Sequence, residues 1–438
     1  MSIGLQMGFA EAEFTPEPGL DLFGQMHRRI AQRVRDPLMA CAVAITDGDG
    51  PPVVIVAADV CVLGDALVRR TRSEFADRTG VQGDRLLIHA THTHVAPATE
   101  SFMAAHADPG FIDRLCGAMV EASATALDRL ASVTLTGGEG RLDCMGWNRR
   151  AMFADGSSAM YGHAGMPGFE GMEGPRDPTL AVLAARRDDG RIAGAIVNFS
   201  THPNALEGES FYSADIPGEV RRLLKGMLEA DALVYLIGAA GNTAPSILDT
   251  GQSDQPWRGE EGLRRSGLYV AGEAAKVFAA CTEPLVATPV RLVGAAPCIP
   301  LRPWPRPDEA NFPEPLRSDA WPDARRYYEQ SRDDWPRRLA EENPEPVRLN
   351  VLRIGDAMLC TNPAELFVEH GLAIRRTSPA QVTLIAQLTD GYVGYVPTRL
   401  AFSRGGYETW PAPSSRLAPE AGETIVAETC RLMKLCRQ

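Results

Sequence analysis

Two histidines in the segment Thr91-His92-Thr93-His94 are the residues of this sequence best suited to chemistry. They follow an apolar run that is typical of a buried strand. Side chains two residues apart in an extended chain point to the same side, so His92 and His94 are predicted to converge at the end of that strand. Imidazoles in this position can both bind a metal ion, or one can bind it while the other lies beside it. By the same alternation His89 faces the opposite side, and we predict a structural role for it.

Further polar side chains follow other strand-like segments. His202 precedes a proline just after one apolar run, Glu365 follows a second, and Tyr392 and Tyr395 follow a third. Loops at one end of a sheet commonly carry the sites of α/β proteins. Taken singly, each residue also has an ordinary structural explanation: a histidine before proline caps or hydrogen-bonds, a glutamate stabilises a helix N-terminus, and glycine-flanked tyrosines pack. From the residues alone, only the histidine pair favours a metal.

A glycine-rich loop occupies residues 238–245, after the apolar segment 232–237. Its G-x-x-G pattern is followed by a proline and lacks the G-x-G-x-x-G spacing of a dinucleotide-binding turn. We therefore reject a nucleotide site and expect the loop to present backbone N–H groups to a pocket. Asn242 and Thr243 of this loop, together with Tyr395, are the residues predicted to contact the substrate.

The composition is that of a globular enzyme. The 438 residues are 45% hydrophobic and 23% charged, which is enough for a large core. The formal net charge is −12, and the sequence has no basic stripe interleaved with aromatic residues, so we predict that it does not bind nucleic acid. We expect a small-molecule substrate instead.

The sequence favours a cytoplasmic protein. Its first residues lack the basic and apolar regions of a signal peptide, and no apolar run approaches the roughly 20 residues of a membrane-spanning helix. The nine cysteines are dispersed without a C-x-x-C pair, as expected of reduced, mostly buried thiols. These features leave the oligomeric state open.

Strands and helices alternate along most of the chain. Strands are predicted over 39–47, 53–60, 85–90, 192–200, 232–237, 286–295, 347–354 and 382–388, and helices over 64–78, 111–130, 217–229 and 262–281. This order predicts an α/β fold in which helices flank a mixed, twisted β-sheet. We find no internal repeat. Residues 299–346 are rich in prolines, charges and aromatic side chains, and two interpretations stay open for them: a helical surface excursion, or a lid or wall of the substrate pocket.

Several motifs, taken in order from about residue 8 to residue 410, resemble the catalytic domain of the neutral/alkaline (non-lysosomal) ceramidases. Members of that family are zinc-dependent amidases that split N-acylsphingosine. The segments that carry the resemblance are Asp36-Pro37-Leu38, Ala58-Asp59, Thr91-His92-Thr93-His94 with Pro97, Asn148-Arg149, Phe199-Ser200-Thr201-His202, Pro363-Ala364-Glu365 and Tyr392-Val393-Gly394-Tyr395-Val396, with Tyr407-Glu408 as a weaker match.

The resemblance implies a zinc site and assigns roles around it. The implied zinc ligands are His92, His202, Glu365 and Tyr392. It also implies that His94 lies beside the metal-bound water as a proton shuttle, and that Arg149 and Tyr407 contact the substrate carbonyl or the developing oxyanion. These roles agree with zinc chemistry, because zinc in hydrolases takes N and O ligands from separate elements and leaves a position for water. The metal lowers the pKa of that water, and a nearby imidazole can pass a proton to the leaving amine.

The chain also departs from the family pattern. Where the family loop typically reads Gly-Asp-Val-Ser-Pro-Asn, this sequence has Gly241-Asn242-Thr243-Ala244-Pro245-Ser246. Ala244 replaces a serine that is a possible nucleophile, which excludes a serine acyl-enzyme at this position and favours a metal-activated water. The chain also ends near residue 438 without the C-terminal β-sandwich domain of true ceramidases. We therefore interpret 1–438 as one zinc-hydrolase catalytic domain and expect a smaller, soluble amide or ester as its substrate.

Two alternative functions compete with this interpretation. A binuclear-metal amidohydrolase barrel also uses a His-x-His pair at an early strand end, but it needs more histidine ligands and usually a bridging lysine, whereas only three lysines occur here. A metal-binding relative without catalysis would explain the changes at Asn242 and Ala244, but the intact set of implied ligands argues against it. The sequence therefore predicts a mononuclear zinc hydrolase that cleaves the amide bond of a small N-acyl compound.

Overall fold

Three mixed β-sheets form the framework of the protein. The structure is a computed structural model that describes residues 4–248, 250, 256–317, 319 and 321–438. The first sheet contains β1 (Gln6–Glu13), β2 (Met39–Thr46), β3 (Val53–Ala58), β4 (Leu86–Ala90) and β5 (Ala131–Ser132), in the spatial order β4-β3-β2-β1-β5. The second contains β6 (Thr134–Arg141), β7 (Thr179–Arg186), β8 (Ile192–Phe199) and β9 (Ala232–Ile237), in the order β9-β8-β7-β6. The third contains β10 (Val290–Ala295), β11 (Leu349–Ile354), β12 (Ala357–Thr361) and β13 (Val382–Ala386), in that order.

Helices cover these sheets, and short strands join the loops. The α-helices are α1 (Asp65–Thr79), α2 (Pro109–Asp128), α3 (Asp215–Leu228), α4 (Gly259–Ala280), α5 (Pro322–Glu341), α6 (Val368–Thr377), α7 (Arg399–Arg404) and α8 (Ala421–Leu435). Single 3-10 turns lie at Gly83–Arg85, Glu314–Leu316 and Tyr407–Thr409. The shorter strands are Asp21–Leu22, Arg29–Ile30, Arg33–Val34, Trp147–Asn148, Arg150–Phe153, Ser158–Met160, Phe169–Met172, Phe211–Tyr212, Thr243–Ala244, Cys298–Ile299, Glu345–Pro346, Ala364–Leu366 and Gly394–Val396.

The same sequence of elements occurs in all three sheets. An antiparallel pair of strands is followed by a helix and by a strand parallel to the second member of the pair, as in β2-β3-α1-β4. The units β7-β8-α3-β9 and β11-β12-α6-β13 repeat this order. The sequence shows no repeat, because each unit needs only its own hydrophobic pattern and not the same residues. Each unit presents two strand ends, and the loops after them carry polar side chains.

The last strands of the three units meet at their carboxyl ends. Backbone hydrogen bonds join Ala90 N to Leu388 O at 3.1 Å and Gln387 N to Ile237 O at 3.2 Å. His89 lies between them, because its Nε2 accepts from Ile237 N at 3.0 Å and its Nδ1 lies 3.0 Å from Thr389 Oγ1. Both ring nitrogens of His89 thus contact the neighbouring strand ends, which is consistent with the structural role predicted for it. Loops that are far apart in the sequence are brought to one place.

The predicted fold class is confirmed, and most of the β-structure lies in three mixed sheets. Strand β9 has the predicted bounds, and β4 begins one residue later than predicted. The histidine segment is not extended as predicted, since β4 ends at Ala90 and His92 has a left-handed φ of +69°. His92 and His94 therefore converge through a turn rather than through strand alternation.

Strand β6 shows why some elements could not be predicted. Its sequence TLTGGEGR is rich in glycine, which disfavours strands. A Cβ at Gly138 would lie 2.5 Å from Cys281 Sγ, just after α4. Close packing of α4 on this strand requires glycine there, and only the tertiary contact explains the composition.

None of the helices among the described residues is both long and apolar enough to cross a membrane. The nine cysteines are all free thiols, and five of them are buried.

Candidate metal centre and its cavity

Two histidines and one glutamate meet at the converging strand ends. His92 Nε2 and His202 Nε2 each lie 3.3 Å from Glu365 Oε2. His92 and His202 come from the loops after β4 and β8, and Glu365 comes from the short strand Ala364–Leu366 that follows β12; all three are almost completely buried. One ligand atom from each lies within 4.8 Å of the others, which suits a single metal ion. Three of the four predicted ligands are thus brought together.

Hydrogen bonds from the Nδ1 atoms of His92 and His202 determine which ring nitrogen faces Glu365. His92 Nδ1 donates to the carbonyl oxygen of Cys61 at 2.7 Å, and His202 Nδ1 donates to that of Ala240 at 2.6 Å. A carbonyl oxygen can only accept, so both Nε2 atoms carry lone pairs when the rings are neutral. They face a carboxylate oxygen that is also an acceptor. Within the described residues, His202 Nε2 and Glu365 Oε2 are buried without a hydrogen-bond partner. Converging acceptors with backbone carbonyls behind them are the arrangement of a metal site.

The electrostatics of the cluster also favour a cation. Burial raises the pKa of Glu365, but His92 and His202 outweigh burial and leave this pKa well below its ordinary value. Burial, with a contribution from Arg149, lowers the pKa of His202 to about 3, so this ring is neutral at neutral pH. Burial lowers the pKa of His92, whereas Cys61 and Glu365 raise it by more. The negative charge that attracts a proton to His92 attracts a metal cation for the same reason.

Tyr392, the fourth predicted ligand, contacts the cluster through Glu365. Its hydroxyl donates to Glu365 Oε1 at 2.9 Å, on the carboxylate oxygen that does not face the histidines. Burial and the adjacent carboxylate raise the pKa of Tyr392 well above its ordinary value. The Tyr392 hydroxyl therefore orients Glu365. That Tyr392 binds the metal directly stays a prediction.

His94 lies beside this cluster. Its Nε2 is 3.4 Å from His92 Nε2, and its Nδ1 is 3.2 Å from Glu207 Oε1. Burial lowers the pKa of His94, but Cys61 and Glu207 raise it to about 9. A cation held by the neighbouring ligand atoms would lower this pKa again by charge repulsion, and the neutral imidazole could then receive a proton and pass it on, as the predicted shuttle requires.

Cys61 was missed by sequence reasoning. It follows β3, and its Sγ lies 3.5 Å from His92 Nδ1. Cys61, His92 and His94 form a second group whose ligand atoms lie within 4.8 Å of one another, and it shares His92 with the first. Its position two residues after the Ala58-Asp59 motif was the only signal that could have drawn attention to it.

Arg149 reaches the cavity from a buried charge cluster. Its Nε donates to Glu408 Oε1 at 3.0 Å and its Nη2 donates to Tyr395 Oη at 3.2 Å. Arg150 Nη1 donates to the other oxygen of Glu408 at 2.6 Å. No described residue accepts from Nη1 of Arg149, which leaves its N–H groups for a ligand. The Tyr407 ring packs against Tyr395, with centroids 5.7 Å apart.

A cavity of ≈ 650 Å³ lies beside the metal-ligand cluster. The predicted residues that line it are His92, His94, Arg149, Glu365, Tyr392, Tyr395 and Tyr407. Most of the remaining wall is apolar or aromatic and includes Phe23, Met26, Met103, Met160, Trp321 and Trp410. Within segment 299–346, Glu314 and residues 321–324 line the cavity, while α5 continues along the surface. The segment therefore contributes a wall to this cavity.

Asn242 and Thr243 do not line the cavity. Both are fully buried: the Asn242 amide donates to Glu369 at 2.9 Å, and the Thr243 hydroxyl donates to Ser200 O at 3.2 Å. The backbone carbonyl of Asn242 accepts from Arg149 N at 2.8 Å. The loop therefore supports Arg149 from behind, and this placement corrects the expectation that these two side chains face a substrate pocket.

Solved structures provide the comparison with known proteins. The sequence matches no protein-family model and no curated protein. The fold, however, is similar to that of a neutral ceramidase from Pseudomonas aeruginosa, with a TM-score of 0.76 and 18% identity over 99% of this chain and 74% of that chain. It is also similar to a ceramidase complexed with C2, with a TM-score of 0.78 and 17% identity over 99% of this chain and 75% of that chain. The chain therefore has the fold of the neutral ceramidases, as its motifs predicted.

Proposed function

We propose that this protein is a zinc-dependent hydrolase that cleaves the amide bond of a small N-acyl compound with an activated water. The observation that carries the proposal is the convergence of His92 Nε2, His202 Nε2 and Glu365 Oε2, three acceptor atoms that need a cation between them. The ceramidase fold supports amide hydrolysis as the reaction class. Two nitrogen ligands and a carboxylate from separate loops suit zinc.

The residues around the cluster have separate roles in hydrolysis. Zinc, when bound, lowers the pKa of a water molecule and polarises the scissile carbonyl. His94 Nε2 takes a proton from the attacking water and passes it to the leaving nitrogen. Arg149 donates N–H groups to the oxygen on which negative charge develops, and Tyr407 lies on the same wall. Ala244 is buried and offers no hydroxyl at the position of the family's possible nucleophile, which is consistent with water as the nucleophile.

The cavity suits a small, partly apolar substrate. Its volume of ≈ 650 Å³ lies in the range of pockets that enclose small molecules. Segment 299–346 acts as the substrate wall, because Trp321 and its neighbours close one side of the cavity. We further propose that residues 1–438 act as one catalytic domain and that the protein works in the cytoplasm, where free thiols such as those of its nine cysteines persist.

A binuclear site is the second candidate, and one observation favours it. Cys61 and His94 form a further ligand group with His92, adjacent to the first. A second metal there would remove His94 from proton transfer. The number of metal ions per chain distinguishes the two candidates.

Metal analysis and an activity screen test the proposal. We expect about one zinc per chain, and a large loss of zinc in His92→Ala and in His202→Ala, because each removes a ligand. His163→Ala is the control, since His163 lies outside the cluster and its ring accepts from Gly165 N. Two metals per chain would overturn the mononuclear assignment, and unchanged zinc in both ligand variants would overturn the ligands. Hydrolysis is measured on short and long N-acyl amides and on the matching esters; zinc-loaded protein inactive on all of them would contradict the enzymatic function.

A further inference from the structure

The carboxylate of Glu207 lies at the side of His94 that faces away from the metal ligands. Its Oε1 is 3.2 Å from His94 Nδ1, while His94 Nε2 is 3.4 Å from His92 Nε2. A carboxylate ion only accepts hydrogen bonds, so His94 Nδ1 must be the donor. The neutral ring then carries its lone pair on Nε2, which is the atom that faces the ligand cluster.

Glu207 is itself held in place. Its Oε2 accepts from Arg258 Nη1 at 2.9 Å and from Asn204 Nδ2 at 3.0 Å. The Asn204 amide also donates to Tyr161 Oη at 2.7 Å, on the wall of the cavity. With both carboxylate oxygens engaged, Glu207 cannot turn away from His94 without breaking other bonds.

The His94 ring is confined on its remaining sides. A Cβ at Gly24 would lie only 2.6 Å from His94 Cγ, so the backbone of Gly24 packs directly on the ring. Arg29 Nη2 donates to the carbonyl oxygen of His94 at 2.7 Å and fixes the backbone. The ring therefore has one defined position, and Glu207 determines which nitrogen carries the hydrogen.

We propose that Glu207 is a positioning residue that holds His94 in the tautomer needed for proton transfer. The inference rests on the proposed hydrolase function and adds a carboxylate–histidine pair to it. His94 Nε2 accepts a proton from water as the C–O bond forms, and returns that proton to nitrogen as the C–N bond breaks. Glu207 takes no proton in either step, and its negative charge stabilises the imidazolium that exists between them.

Comparing substrates with different leaving groups distinguishes a role of Glu207 in proton transfer from a merely structural role. An amide nitrogen must be protonated to leave, whereas p-nitrophenolate leaves without a proton. In zinc-loaded Glu207→Gln we expect kcat on an N-acyl amide to fall at least about 100-fold, and kcat on the matching p-nitrophenyl ester to fall less than about 10-fold. Glu207→Asp should recover part of the amide rate. Glu209→Gln, an exposed change on the same loop, is the control and should match the wild type.

A second measurement does not depend on turnover. Nitrogen-15 spectra of histidine-labelled, zinc-loaded protein, with His94 assigned from a His94→Gln variant, report which ring nitrogen carries hydrogen. We expect the Nδ1–H tautomer in the wild type and a mixture in Glu207→Gln. Equal losses on amide and ester, loss of zinc, or an unchanged tautomer in Glu207→Gln would each overturn the assignment. A wild-type protein that hydrolyses nothing would count against the proposed function alone, and the tautomer result would then decide the role of Glu207.

Discussion

Glu408 is predicted to be a highly sensitive residue, because it lies behind the cavity and anchors Arg149, which lines it. Its side chain is completely buried, and its two oxygens accept from Arg149 Nε at 3.0 Å and from Arg150 Nη1 at 2.6 Å. In Glu408→Gln the charge disappears while both arginines stay buried. Arg150 keeps Glu173 as a partner, but Arg149 is left with the hydroxyl of Tyr395.

The magnitude follows from these contacts. A hydrogen bond to a charged group contributes about 1.5–3 kcal/mol, and one such bond is lost, since the glutamine amide keeps one oxygen that can still accept from Arg150. Removing one partner of a buried ion pair costs about 3–5 kcal/mol. We therefore expect Glu408→Gln to lower the free energy of unfolding by about 2–5 kcal/mol. Because Arg149 loses its anchor, kcat for amide hydrolysis should fall as well.

Urea unfolding followed by tryptophan fluorescence and circular dichroism measures this change. Glu420→Gln is the matched control, because Glu420 pairs with Arg399 at the surface, where both side chains are more than half exposed. An exposed pair contributes at most about 1 kcal/mol. A loss in Glu408→Gln no larger than in the control would refute the argument that buried charge compensation holds Arg149. A double-mutant cycle with Arg149→Gln then measures the coupling of this pair directly.

Three further predictions concern the metal, the pH dependence and the cavity. Tyr392→Phe should weaken zinc binding about 10–100-fold, because the hydroxyl that orients Glu365 is lost; unchanged affinity in a competition titration with a chelator would contradict this role. His89 is buried, and burial lowers its pKa to about 3; because the unfolded state then binds more protons below about pH 6.5, stability should fall as pH drops from 6.5 toward 3, by up to about 1.4 kcal/mol per pH unit. Urea unfolding at several pH values should show a shallower slope in His89→Gln, and an equal slope would contradict the assignment. Trp321→Ala should raise KM several-fold with kcat and zinc content unchanged, since it removes only a wall of the cavity; an unchanged KM would contradict that wall.

Much of the local structure follows directly from the sequence. The apolar segment 232–237 is strand β9 with the predicted bounds, because a short, wholly apolar run between turn residues suits a strand buried on both faces. The positions of His202 and Glu365 just after strand-like segments also follow from local patterns. In contrast, the left-handed turn at His92 was not predicted, because backbone strain of this kind depends on the contacts that maintain it.

The site itself was decided by long-range packing. Sequence patterns placed His92, His202 and Glu365 at strand ends, and only a family resemblance joined them; the three sheets put their ligand atoms within 4.8 Å. Cys61 and Glu207 entered the site unpredicted, because their residue types alone do not distinguish them from ordinary buried or solvated side chains, and only the nearby Ala58-Asp59 motif pointed toward Cys61.

The sequence by itself thus determined the types of residues, their local elements and the reaction that those residue types allow. Which side chains face one another was decided only by the tertiary structure. Asn242 illustrates this, because it was predicted to contact the substrate and is instead buried away from the cavity. Periodicity reports how a segment is buried, whereas the partner of a buried polar atom depends on which strand end the fold brings beside it.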